Sequence, residues 1–386
     1  MAVIEVPVYV RPATSRMTRR QHIERSLAAI IADGGVPAGG GDVILPKPFL
    51  LGRNEETLAP IARKFGFPYG TDLDAVFRDP PENAVFFEGG PTKIHYEGLS
   101  RALDSGMHVY TEKPLALSVG EALDLAEKAR KKGLCGGVVQ DKRYLPGLLA
   151  LGQLIRKGKI GQVYHLMLEF GYWVHPDDGT RPDWNWDKAE GGGIILDMVA
   201  HWDYLLAMLI GPPRQVIAHS ALHVPQRTRD GKPVPTTAED SVYATFEIEG
   251  PDGPIVCTTV SSWCRRPRKR GLLEIKVQGS EGAAEAYLDR CYWISNERTP
   301  QIAWDPDTAG REDFPEGWER YEPENPPSNA FRHQWELFLR HVVRGTENPA
   351  SLLDGAQGVE TARCTEESAL NGNLPVEIRD VRTLAP

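Results

Sequence analysis

Strand and helix signals alternate over the first third of the chain, and strands dominate after about residue 145. These two observations predict an α/β N-terminal domain built on a doubly wound parallel sheet, followed by an α+β C-terminal domain with a large, mainly antiparallel open sheet. The change of pattern sets the expected division, with residues 1–145 in the first domain and 146–386 in the second.

Each element has its own warrant. Val3 to Val10 is short, β-branched and apolar, as a buried strand is. Gln21 to Ala32 carries Ile23, Leu27, Ile30 and Ile31 at helical spacing. Val43 to Leu51 reads as a strand, Glu55 to Phe65 as a helix, Ala84 to Phe87 as a strand, Tyr96 to Ser105 as a helix and His108 to Tyr110 as a strand. Ser118 followed by Glu121 is a capping-box start for a helix to Lys132, whose last turns carry the cations that the helix dipole favours. Gly136 to Gln140 closes the alternation. Right-handed crossovers then give a Rossmann-type domain.

Beyond residue 145, Leu148 to Arg156 and Gly191 to Met208 read as helices and Val163 to Val174 as a strand. Arg214 to Ser220, Ser241 to Glu249, Ile255 to Trp263, Leu272 to Gly279 and Ala283 to Tyr287 are strands in series. They are separated by turns such as Gly250-Pro251-Asp252-Gly253. Ala330 to Arg344 and Leu352 to Asn371 are closing helices, and Pro300 to Pro327 is an irregular surface excursion.

Composition narrows the function classes. A formal net charge of -9 argues against non-specific binding to nucleic acid or anionic membranes. The five cysteines are scattered and form no CxxC pair, which fits free thiols in a reducing, cytoplasmic compartment. No run approaches the ~20 apolar residues of a membrane span. His219 and His223 form the only HxxxH pair, and four residues along a strand separate their side chains by roughly 13 Å, so no metal site is expected. The basic run Arg265 to Arg270 lies between two strands and reads as a solvated hairpin loop.

A dinucleotide pyrophosphate sits at the first strand-turn-helix of a doubly wound domain. Here that turn, Arg11 to Arg19, contains no glycine. Either the domain keeps the fold without the cofactor, or Thr14, Ser15 and Thr18 with the cations Arg16 and Arg19 replace part of the glycine cradle; the second reading is preferred, because arginine is a good bidentate phosphate partner. The second strand ends in Gly52, Arg53 and Asn54, without the acidic residue that selects NAD. Arg53 suits a 2′-phosphate, so NADP is favoured over NAD.

The strongest chemical signal is a pair of segments. Glu112, Lys113 and Pro114 follow a strand, and Gly191-Gly192-Gly193 opens a helix carrying Asp197 and His201. The i to i+4 spacing predicts that Asp197 and His201 share one helix face, one turn apart. An imidazole can take a hydroxyl proton near neutral pH, and an ammonium stabilises a developing alkoxide.

These two segments, with the Gln140 to Pro146 stretch, resemble the glucose-fructose oxidoreductase / inositol dehydrogenase / MocA family over essentially the whole chain. The first turn is similar to a GxxGRMG-type loop in which Pro12, Ser15 and Thr18 replace glycines while Arg16 and Met17 remain. The resemblance implies an NAD(P)-dependent oxidoreductase that moves a hydride between nicotinamide and a secondary alcohol or ketone of a sugar, glycoside or cyclitol. It implies catalytic roles for Lys113, Asp197 and His201. Ser15, Arg16, Met17, Arg53, Asn54, Glu112 and Lys113 would contact the cofactor, and Lys142 the substrate polyol. Pro114 is a candidate for a cis bond. Tyr172, Trp184 and Trp186 are candidate sugar-facing aromatics, with core packing an equal reading for the two tryptophans. A glycoside-cleaving hydrolase or lyase using transient nicotinamide oxidation, and a cofactor-poor sugar-binding homologue, are the alternatives. A homo-dimer or homo-tetramer through the open sheet is expected by analogy with that family.

Overall fold

The structure is a computed structural model and describes residues 2–177, 181–268, 271–301, 307 and 316–383. The first sheet uses β1 (Val3–Arg11), β2 (Val36–Gly39), β3 (Asp42–Leu51), β4 (Tyr69–Gly70), β5 (Val85–Glu88), β6 (His108–Thr111) and β7 (Gly136–Val138). Its order is β2-β3-β1-β5-β6-β7, with β4 also on β3. All pairings are parallel except β2 with β3. Strand order reverses between β3 and β5 around β1, which places the turn after β1 at the crevice where such sheets bind ligands.

That turn leads into a wide helix, Thr18–Ala28, hydrogen-bonded i to i+5, which tightens into α1 (Ala29–Ala32). The apolar spacing at Ile23, Leu27 and Ile30 buries one face on the sheet as expected, but the turns are wider than the period implied. The remaining crossover helices are α2 (Glu55–Phe65), α3 (Leu73–Arg78), α4 (His95–Asp104) and α5 (Val119–Lys132). The Ser118 capping box is formed: its hydroxyl accepts from Glu121 N and Glu121 accepts from Ser118 N. Short β2, β4 and α3 were not anticipated, being too brief to show a period.

α6 (Pro146–Arg156) leads into the second sheet. Its strands are β8 (Val163–Gly171), β9 (Pro213–Ala221), β12 (Ser241–Ile248), β13 (Ile255–Ser262), β14 (Leu273–Gly279), β15 (Gly282–Ala286), β16 (Cys291–Ser295), β17 (Glu319–Tyr321) and β18 (Val376–Glu377). A separate hairpin pairs β10 (Gln226–Arg229) with β11 (Lys232–Pro235), turned by Asp230 and Gly231 at positive φ. The nine strands run β17-β16-β15-β14-β8-β13-β12-β9-β18, antiparallel except for the central β8–β13 pair. The inner face packs on a wide turn, Ile195–Val199, and on α7 (Ala200–Leu209), with Trp202, Leu205 and Leu206 in the core. The segment Lys188–Leu209 is long and apolar enough to cross a membrane, but 78% of its apolar window is buried inside the protein.

α8 (Ala330–Arg344) and α9 (Leu352–Leu370) close the chain. Trp335, Phe338 and Leu339 of α8 join Val6, Val8, Val10 and Ile23 in the core of the first sheet. Leu352, Ala356 and Val359 of α9 pack with Leu99, Leu115 and Leu125. The chain thus returns to its first sheet after building the second. Residues 302–306 and 308–315 of the expected excursion from Pro300 to Pro327 lie outside the described residues, as do the last two residues of the Arg265 to Arg270 run.

Candidate functional site

Lys113 follows β6, and its bond to Pro114 is cis, as is the Arg11–Pro12 bond. The Lys113 ammonium donates to Asp197 Oδ1 at 2.6 Å and to the Asp197 carbonyl at 2.9 Å. A third group, absent from the sequence expectations, completes this cluster. Arg181 Nη1 donates to Asp197 Oδ2 at 3.0 Å, its Nε donates to the Tyr172 hydroxyl at 3.0 Å, and its guanidinium lies 4.3 Å from the Trp263 ring centroid. Burial alone would raise the Asp197 pKa, but Lys113 and Arg181 override it and hold the carboxyl well below the usual range. Arg181 lies in a Pro- and Asp-rich connection with no periodic or motif signal, so no local pattern marked it.

Asp197 and His201 take different hydrogen-bond partners. Asp197 sits in the wide turn and His201 in the first turn of α7. Asp197 is directed to Lys113, while His201 meets a different lysine: its Nε2 lies 3.0 Å from Lys142 Nζ and its Nδ1 2.7 Å from the Tyr204 hydroxyl. Lys142 comes from the short turn Asp141–Tyr144, just beyond β7. Burial, followed by the charges of Lys142 and Lys113, pushes His201 far below its usual pKa. Burial is also the largest influence on Lys142 and lowers it.

Glu112 is held from behind. Its Oε1 is 2.8 Å from His22 Nε2, and Trp335 Nε1 donates to His22 Nδ1 at 3.0 Å. An indole N–H only donates, so Nδ1 is the acceptor and Nε2 carries the proton given to Glu112. Burial would raise Glu112; His22 and Lys113 more than offset this and lower it.

At the nucleotide end, no residue from 12 to 18 has positive φ, so the turn closes without a left-handed position. The Ser15 hydroxyl accepts from Thr18 N and donates to Thr18 Oγ1 at 2.7 Å, and Thr18 is buried. The Ser15 hydroxyl thus caps the start of the helix, with the Thr18 hydroxyl bonded to it from below. A Cβ at Gly89 would meet Thr18 Oγ1 at 2.5 Å, so the floor at the end of β5 needs glycine. Arg16, Met17 and Arg19 stand exposed at the helix start, and Arg53 and Asn54 are exposed after β3. Asn54 also caps α2, accepting from Glu56 N at 2.8 Å. Exposed guanidiniums around a switch-point crevice, above a helix N-terminus, fit the phosphates of a dinucleotide.

The aromatic candidates separate. Tyr172 reaches the Arg181–Asp197 cluster. Trp184 is half-buried. Trp186 is only 8% exposed, packed edge-on against Trp263 and covered by Arg227 at 3.5 Å, so its faces are taken and it belongs to the core.

Sequence spacing also missed a non-local cluster of potential metal-binding groups. Ligand atoms of His223, Asp240 and Cys264 lie within 4.8 Å of one another. Asp240 already accepts from His223 Nδ1, Ser241 Oγ and the backbone N–H groups of His223 and Val224. That arrangement is a satisfied hydrogen-bonded corner.

Both parts of the chain match known families. Residues 49–139 match the oxidoreductase family with an NAD-binding Rossmann fold, and residues 148–285 match the GFO/IDH/MocA C-terminal domain. The D-xylose dehydrogenase of Paenarthrobacter nicotinovorans is 38% identical over 92% of this chain and 93% of its own. The levoglucosan dehydrogenase of Pseudarthrobacter phenanthrenivorans is 26% identical over 52% of this chain and 51% of its own. A solved levoglucosan dehydrogenase in complex with NADH and levoglucosan superposes with a TM-score of 0.79 at 20% identity, covering 98% of this chain and all of that one, which establishes the shared fold. With Lys113 after its sheet strand, the glycine-led turn bearing Asp197, and both domains matched, the chain belongs to the GFO/IDH/MocA family of oxidoreductases, with an NAD-binding Rossmann fold in its first part.

Proposed function

We propose that this protein is an NAD(P)-dependent sugar dehydrogenase or reductase, acting on a hydroxyl-bearing carbon of a sugar or related polyol. The observation that carries the reading is the Lys113 ammonium, fixed on Asp197 at 2.6 Å beside the Lys142–His201 pair. A bound nicotinamide would supply the hydride acceptor. Lys113 would hold the reacting oxygen and stabilise its developing negative charge, and Asp197 would keep that ammonium oriented. Glu112, fixed by His22, forms the buried wall behind Lys113. The similarity to a protein named D-xylose dehydrogenase supports an aldose substrate.

NADP is the preferred dinucleotide, supported by the exposed Arg53 where an acid would select NAD. A homo-dimer or homo-tetramer goes with this reading. Met167, Ile217 and Tyr243 stand exposed on the outer face of the second sheet, where Met167, Thr258, Thr245 and Ile217 align across the strands. The five free thiols support a cytoplasmic setting.

The deciding experiment is thermal-shift titration with NAD and NADP, then a panel of aldoses, polyols and glycosides read at the nicotinamide absorbance. NADP should raise the melting temperature more than NAD, and at least one free sugar should reduce the dinucleotide. Glycoside cleavage without net reduction would replace this reading with transient oxidation and elimination. Stabilisation by neither dinucleotide would leave a sugar-binding homologue. Equal shifts by both, unchanged in Arg53→Ala, would remove the case for NADP.

A further inference from the structure

Three side chains with metal-ligating atoms meet at one end of the second sheet, in a corner that shares no residue with the Lys113–Asp197 cluster. Strand register brings them there. Ser241, at the start of β12, is paired on one side with Ala221 of β9 and on the other with Ser262 of β13. Asp240 lies one residue before that rung, and His223 and Cys264 lie two residues beyond it on the flanking strands. Cys264 is also bridged to Trp173, beyond the end of β8. The ligand atoms of His223, Asp240 and Cys264 fall within 4.8 Å of one another. A pocket of about 380 Å³ is lined by His223, Ser262 and Cys264 and by Trp173 and Tyr243, so the corner has an approach from outside.

We propose that His223, Asp240 and Cys264 form a binding site for a zinc ion. Imidazole nitrogen, carboxylate oxygen and thiolate sulfur are the donors that zinc takes, and a sulfur donor disfavours magnesium and calcium. Asp240 is prepared for one such bond. Its Oδ2 accepts the backbone N–H groups of His223 at 2.9 Å and Val224 at 2.8 Å. That leaves Oδ1 to face His223 Nδ1 at 2.9 Å and Ser241 Oγ at 3.1 Å. Outer hydrogen bonds of this kind fix the direction of a ligating carboxylate. Zinc bonds of about 2.0–2.3 Å set their donors roughly 3.3–3.6 Å apart. The His223 ring therefore swings out slightly to admit the ion, and with its side chain 47% exposed the movement displaces little. Ser241 Oγ keeps a partner in Ser262 Oγ at 2.7 Å when the ion takes Oδ1. The hydrogen bonds that satisfy the corner thus occupy the ion's place. The fourth position faces the pocket and goes to water or a small ligand.

The charges around the corner suit this ion. Asp240 is fully buried, and a buried carboxylate is stabilised by pairing or by a metal. Burial, followed by the Asp240 charge, pushes the Cys264 thiol up to about 12, while Arg227 and Arg266 act against them. Arg227 is only 5% exposed, and its Nε and Nη2 lack hydrogen-bond partners among the described residues. A metal ion reverses the balance at Cys264, because a coordinating thiol is deprotonated outright. The S–H bond breaks, its electron pair forms the S–Zn bond, and the proton passes to the buffer. His223 gives the Nδ1 lone pair to the ion and carries its ring proton on Nε2. One ion then ties together the ends of β9, β12 and β13.

Untagged protein stripped with a chelator provides the test. Calorimetric titration with zinc chloride should saturate at one ion per chain, and zinc should raise the melting temperature. Cobalt(II) in its place should give a sulfur-to-cobalt charge-transfer band in the near ultraviolet. Cys264→Ser should abolish that band and weaken zinc binding by at least about 10-fold, the least that losing even an outer partner of a metal site costs. His223→Gln should weaken zinc binding similarly. Cys135→Ser, at a thiol beside β7, should change neither reading. If Cys264→Ser does not fold, the native chain answers by labelling: zinc should shield Cys264 from iodoacetamide and leave the labelling of Cys135 unchanged. Zinc binding that never saturates at one ion per chain would overturn the proposal. A cobalt band that survives Cys264→Ser would do the same, as would equal labelling of Cys264 with and without zinc. None of these readouts uses turnover, so the result is independent of the sugar reading.

Discussion

Asp197 shows how one carboxylate can organise a site. Two cations share it, and the side chains of Lys113, Arg181 and Asp197 are 18%, 16% and 15% exposed. Replacing it with alanine leaves two partly buried cations facing each other, a change that typically costs about 3–5 kcal/mol when a buried pair is broken. Asp197→Ala should therefore lower both kcat and the melting temperature, whereas Asp197→Asn should spare stability more than turnover; equal melting temperatures for alanine and wild type would refute the shared-anchor account. Glu88 makes a different prediction. It is fully buried, and burial raises it to about 7 against the opposing Arg11 guanidinium. Between its ordinary value of 4.5 and about 7 the folded state holds a proton that the unfolded state releases. Stability from this group is complete at low pH and declines as pH rises to about 7, by roughly 2–3 kcal/mol. Denaturant melts of Glu88→Gln across that window should lose this slope. Lys113, Asp197 and His201 were legible from the sequence because two short motifs carry them. Arg181, Tyr204 and His22 were not, since each gains its role only through a partner distant in space or outside those motifs.

At the scale of elements, pitch and position decide which partner each site residue meets. A period of apolar residues gives the existence of a helix more reliably than its pitch. Asp197, in the wide turn Ile195–Val199, meets Lys113, and His201, in the first turn of α7, meets Lys142. The wide helix Thr18–Ala28 delivers His22 to Glu112, and α8 delivers Trp335 to His22. Trp335→Phe keeps the ring and removes the N–H, leaving His22 Nδ1 without a donor. The expected cost is about 1–3 kcal/mol. The same variant should weaken dinucleotide binding in the thermal-shift assay, because Glu112 loses its fixed support; unchanged stability and unchanged binding would show that the relay is only a packing contact.

At the scale of the whole molecule, the two sheets were predictable from the switch between alternating and serial strands. The return of α8 to the first sheet was not, because amphipathic spacing says that a face is buried and not which surface buries it. The outer face of the second sheet offers a further check. Ile217→Asp should shift sedimentation toward the monomer if that face joins protomers, and an unchanged coefficient would exclude it. The position of α8 also bears on the order in which the protein can be made. Trp335, Phe338 and Leu339 complete a core begun by Val6, Val8 and Val10. A nascent chain that has emerged only through β7 still presents that apolar face to solvent, and it stays uncovered until more than 300 residues separate the two partners on the ribosome. Maturation of the first domain therefore waits on the end of the chain, and pulse-labelled nascent chains should become protease-resistant in their first domain only after α8 has been released.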